Sequence, residues 1–124
     1  MNNFENPIHF DIKKMINGIE VIYFDLMEIS QGGPETGSIL INENQIQSYR
    51  FGGPCLCEGG YVYAPVYKKK LFSSGFKLSR INLQTLQTES FGEIKDLIFL
   101  DKIEGNRVYF FEDLDKIISN YYDI

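Results

Sequence analysis

The carboxylates Glu112, Asp113 and Asp115, with Asp101 and Glu104 a short distance upstream, come closest to a chemical set in this chain. Paired Asp and Glu side chains can divide the work of general acid and general base, or share a hard cation. Neither the Glu112-Asp113-x-Asp115 nor the Asp101-x-x-Glu104 spacing matches a calcium loop, so a solvated acidic surface accounts better for both. Cys55 and Cys57 form a C-x-C pair, and His9 is the one histidine. Two thiols and one imidazole fall short of a structural zinc set, so buried reduced thiols are expected. His9 alternates with Ile8 and Phe10 and reads as an exposed or hydrogen-bonded structural residue rather than a base. Neither a G-x-S-x-G elbow, a P-loop nor an H-E-x-x-H helix occurs, and Gly32-Gly33-Pro34 and Gly52-Gly53-Pro54 are explained by tight turns. The residues therefore predict no catalytic set, no cofactor and no metal.

Charge is placed unevenly around a net value of −5. Residues 1–47 carry seven acids against Lys13 and Lys14, residues 48–91 carry six bases against Glu58 and Glu89, and residues 92–124 carry eight acids against four bases. Lys68-Lys69-Lys70 is the one basic run and is expected in a loop, where a lysine triplet is usually solvated. The acidic balance opposes phosphate contact, so no direct nucleic-acid binding is expected. It suits a basic protein partner, whose approach a negative surface accelerates. The first residues lack a basic start and an apolar core, and no run approaches a membrane span, which predicts a cytoplasmic protein with no membrane contact. Ten Phe and eight Tyr in 124 residues supply an ample core for the single domain, 1–124, that this length predicts.

Those candidate residues must be carried by strands. Ile41-Asn42, Ile46-Gln47-Ser48 and Phe51-Gly52 return 40 positions later as Ile81-Asn82, Leu86-Gln87-Thr88 and Phe91-Gly92, an internal repeat of 37–53 with 77–93. A Gly-x-x-Val pattern starts at Gly18, Gly59 and Gly105 and ends on Val21, Val62 and Val108. Turn signals at Asn17-Gly18, Asn42-Glu43-Asn44, Gly59-Gly60, Ser73-Ser74-Gly75 and Glu104-Gly105-Asn106 separate aromatic and β-branched runs such as Tyr61 to Tyr67. Strands are predicted at roughly 7–16, 19–29, 37–42, 45–52, 55–57, 61–67, 75–82, 86–91, 96–103 and 107–112. Leu114, Ile117, Ile118 and Tyr121 fall at helical spacing behind Asp113 as an N-cap, predicting a short C-terminal helix over 114–122; a closing strand over 117–122 is the alternative.

A period of roughly 40 to 50 residues with several strands inside it is that of β-propeller blades. The Gly-x-x-Val runs, the Lys77 to Leu83 strand with its Thr85 to Thr88 return, and Phe91-Gly92 resemble blades of bacterial β-propellers over residues 18–112, without the Trp-Asp, Gly-His or double-glycine marks of the WD and kelch types. The resemblance implies an all-β, mostly antiparallel fold: an open partial propeller-like array of about two and a half blades. Closed propellers use four or more blades, so open ends await a partner or a second copy.

As a whole, an acidic stand-alone domain of this size resembles the immunity proteins of bacterial contact-dependent inhibition and related polymorphic toxin systems. That resemblance implies a protein that binds a cognate basic toxin domain, a nuclease, and covers its active site without chemistry of its own. The partner-binding residues expected are Asp101, Glu104, Glu112, Asp113, Asp115, Tyr121, Tyr122 and Asp123, because the last 33 residues hold eight of the acids and a terminal aromatic anchor. The competing reading is a self-assembling propeller-type module that binds a small ligand or a protein.

Overall fold

Two-residue turns at Asn17-Gly18, Gly59-Gly60 and Gly105-Asn106 open three successive meanders, because glycine and asparagine accept the positive φ that a tight hairpin needs. In a computed structural model of the chain, which describes residues 5–69 and 74–124, the first meander is β1 (Lys13–Ile16), β2 (Ile19–Glu28), β3 (Glu35–Ile41) and β4 (Asn44–Gln45). The second is β5 (Leu56–Glu58), β6 (Tyr61–Lys69), β7 (Ser74–Asn82) and β8 (Thr88–Lys95), and the third is β9 (Phe99–Glu104), β10 (Arg107–Phe111) and β11 (Ser119–Asp123). Within each meander sequential strands pair antiparallel, and none of the three sheets closes on itself. The fold is all-β.

Alternation along β6 shows how the sheets stack. Val62, Ala64 and Val66 face one way, into a core shared with Val21, Tyr23, Ile39 and Ile41 of the first sheet. Tyr61, Tyr63 and Tyr67 face the other way, with Phe76 and Leu78, into a second core completed by Leu100, Val108 and Phe110 of the third sheet. The second sheet is thus buried on both faces, which is why β6 reads as a nearly unbroken apolar run. Val62 and Val108 both stand second after their turns, both face the preceding sheet, and both are fully buried. Val21 is displaced by one residue relative to its own turn, so it faces the following sheet instead.

Phe51 stitches the first two sheets together by bridging to Gly37 on one side and Val66 on the other. The Tyr23 hydroxyl reinforces this seam by donating to the Gly52 carbonyl at 2.7 Å. Most of the strand expected over 45–52 is accordingly not part of a ladder, and Ser48 breaks it with a φ of 72°. The strand expected from residue 7 begins at Lys13, because the Asn6 side chain accepts the N–H groups of Ile8 and His9 in a turn. Lys68 and Lys69 lie in β6 rather than a loop; Lys70, Ser73 and their neighbours 71 and 72 fall outside the described residues.

The repeated segments turn differently, since Ile41 faces Asn44 across two residues whereas Ile81 faces Thr88 across the loop Leu83 to Gln87. Their Phe-Gly glycines share one task. A β-carbon on Gly52 would press on the Phe76 ring at 3.0 Å, and one on Gly92 would overlap the Tyr122 ring.

The helix expected over 114–122 does not form. The chain loops from Glu112 to Ile118 and returns as β11, pairing Val108 with Tyr122 and Phe110 with Asn120. Period two prevails because it turns Tyr122 onto Phe110, with ring centroids 5.1 Å apart, and gives β10 a second hydrogen-bonded neighbour.

Candidate functional site

Eight residues were expected to form one acidic and aromatic surface at the C-terminal end, and the fold distributes them over four environments. Asp101 is the extra residue at a bulge in β9, where the pairing shifts between Lys102 and Leu100. It borders a cleft of about 400 Å³ whose apolar floor includes Ile16, Leu56 and Ile103. This cleft is lined from β1, β5 and β9, the first strand of each meander.

Tyr122 points the opposite way from a partner surface. It packs against the second core, and its hydroxyl accepts the N–H of Glu93 at 3.3 Å, so its role is to lock β11 over β8. Glu112 also serves the junction between sheets: its carboxylate lies 3.7 Å from the Lys95 ammonium of β8 and accepts the Asn120 amide at 3.0 Å.

Glu104, Tyr121 and Asp123 do share a surface, the outward face of the third sheet. Arg107 stands beside Asp123 in the ladder and donates to it from Nε at 2.8 Å and from Nη2 at 3.4 Å. Those hydrogen bonds hold the Asp123 carboxyl below its ordinary range and raise the Arg107 guanidinium. The same guanidinium lies 3.9 Å from the centroid of the Tyr121 ring, and Tyr121 meets Tyr109 at 5.9 Å. Lys102 crosses the Tyr109 ring at 5.2 Å while its ammonium reaches Glu104 at 3.3 Å. Charges here are largely paired, and the aromatic rings are the chemical signature of the face.

The loop Glu112 to Ile118 holds the remaining two residues. Asp113 accepts the N–H of Ile117 at 3.0 Å and that of Ile118 at 2.8 Å, while the Glu112 N–H donates to the Ile118 carbonyl at 2.8 Å. Lys116 takes a φ of 59° and lays its ammonium over the Phe99 ring at 5.1 Å. So constrained, the loop presents Ile117 at 77 % exposure and Ile118 at 55 %, with Leu114 and Asp115 also exposed. Leu114, Ile117 and Ile118 thus stand outside both cores, on a loop whose backbone is hydrogen-bonded.

Leu114, Ile117 and Ile118 were expected in a helix over 114–122, with a closing strand over 117–122 as the alternative; the strand that forms, β11, begins only after Ile118 and leaves all three in the loop. The signal that could have found them is Asp113 itself, whose side chain can cap a turn as readily as a helix.

Cys55 and Cys57 are free, buried thiols of the first core. Burial, reinforced by the neighbouring Cys57, pushes the Cys55 thiol up to about 12, and burial raises Cys57 to about 11. His9 is exposed in its turn. Among the described residues, no group of three or more His, Cys, Asp or Glu side chains is arranged to hold a metal ion, and no helix is long and apolar enough to cross a membrane. No family model, curated protein or solved structure matches the chain.

Proposed function

We propose that this chain is a cytoplasmic protein-binding module of the immunity type, which docks on a cognate basic toxin domain, a nuclease, and covers its active site without performing chemistry. The observation that carries the reading is the Glu112 to Ile118 loop. Its aliphatic side chains are exposed, its backbone is held by Asp113, and Asp115 adds negative charge beside them. Aliphatic anchors that bury on contact supply affinity, and the surrounding carboxylates steer and orient a cationic partner. A loop already held in one conformation loses little entropy on binding.

The three meanders are read as consecutive blades of an open propeller-like array. Support comes from their stacking order and from the cleft that β1, β5 and β9 line together, as the innermost strands of blades would. The same cleft supports the second reading, a propeller-type module that takes a small ligand on its axis.

Titration against the product of an adjacent toxin gene tests the first reading. A complex at nanomolar to micromolar concentration that Ile117→Asp weakens through faster dissociation is expected. No complex at micromolar concentration, with the fold intact, would reject it.

A further inference from the structure

Both cores leave apolar surface open at the cleft that Asp101 borders. Ile16 is a partly buried margin of the first core, and Leu56 and Ile103 are partly buried margins of the second. All three line the cleft, whose volume of about 400 Å³ is on the scale of small-ligand sites.

Four charged side chains line it as well: Lys14, Glu58, Asp101 and Lys102. The two cations are already engaged. Lys14 pairs with Glu5, and both of those side chains are largely shielded from solvent. Lys102 carries its ammonium onto the outward face of the third sheet, over the Tyr109 ring and 3.3 Å from Glu104. The two anions are exposed, and among the described residues neither the Glu58 nor the Asp101 carboxylate takes part in a hydrogen bond or ion pair. Glu58 ends β5 just before the Gly59-Gly60 turn. Asp101 is the extra residue of the β9 bulge, a position that frees a side chain from the regular alternation of its strand. A ligand entering here meets an apolar floor and two free carboxylates at the rim.

We propose that this cleft binds a small amphipathic organic cation, an aryl- or alkylammonium whose hydrocarbon part lies on Ile16, Leu56 and Ile103 and whose charge is met by Glu58 and Asp101. It deepens the small-ligand reading of the cleft, on which it rests, and does not involve the Glu112 to Ile118 loop. Exposed ion pairs are weak one at a time, so the floor supplies most of the affinity and the carboxylates supply the selectivity. A carboxylate ligand of the same shape would meet only like charge at the rim.

Titration of phenylbutylammonium, phenylbutanol and phenylbutanoate into the whole chain, followed by methyl NMR, tests this. Saturable shifts at the Ile16, Leu56 and Ile103 methyls are expected, with the cation bound about fivefold to tenfold more tightly than the alcohol and the carboxylate most weakly. Glu58→Gln and Asp101→Asn should each lower the affinity for the cation about twofold to fourfold and leave that for the alcohol unchanged. Both side chains are exposed, so an unchanged circular dichroism spectrum should accompany each substitution. An alcohol that binds as tightly as the cation would overturn this choice of ligand while the small-ligand reading stands. Cation selectivity that survives both substitutions would overturn the assignment to Glu58 and Asp101. If none of the three compounds moves the cleft methyls at about five millimolar, both readings of the cleft fall.

Discussion

Tyr122 lies directly over Gly92, so that the ring of the third sheet occupies the space a β-carbon on the second would need. Gly92 also holds a φ of 72°, a conformation that side chains disfavour. Gly92→Ala should therefore destabilise the protein by about 2 to 4 kcal/mol, from left-handed backbone strain plus overpacking. Urea denaturation measures it. A loss below about 0.5 kcal/mol would show that Tyr122 does not pin the two sheets.

Val62 and Val108 sit at matched places in separate cores. Truncating either to Ala should cost roughly 1 to 3 kcal/mol through lost burial and a residual cavity. Because the two sites share no packing partner, the double variant should equal the sum of the singles within about 0.5 kcal/mol. A larger coupling energy would mean that the two cores behave as one.

The thiols make stability fall at alkaline pH. Cys55 and Cys57 titrate near 12 and 11 in the fold, against an ordinary value of 9. Between about pH 9 and 12 the folded state holds protons that the unfolded state has released, so the contribution present below pH 9 is lost as pH rises. Denaturation midpoints should drop over that window, and a Cys55→Ala, Cys57→Ala double variant should show a shallower drop. At pH 8 both thiols should resist alkylation until the chain unfolds, which labelling kinetics with and without urea would reveal.

Anchoring and steering should separate in the loop. Asp115→Lys should slow association with a basic partner several-fold and leave dissociation nearly unchanged, since rim charges act on encounter. Ile117→Asp should mainly accelerate dissociation. Asp113→Ala removes the acceptor for two backbone N–H groups, so faster amide exchange at Ile117 and Ile118 should accompany its weaker binding. Surface-plasmon kinetics and hydrogen exchange together check the set.

Much of the fold was legible locally because turn chemistry and side-chain period are local properties. The Asn-Gly and Gly-Gly turns, the all-β class and the main body of the strands from β6 to β10 follow from residues that touch their own neighbours in sequence. Pairing partners are not local. Phe51 reads as the end of a strand, yet it is a stitch between two sheets because Gly37 and Val66 lie on either side of it.

The candidate surface divides along the same line. Composition placed acids and tyrosines near the C-terminus, but whether each faces a core or solvent depends on β11 pairing with β10. Helical spacing over 114–122 satisfies an isolated chain, which gains only its own hydrogen bonds. In the folded protein the strand also buries Tyr122 and leaves Ile117 and Ile118 outside, an outcome set by the free edge of β10 and the space above Gly92.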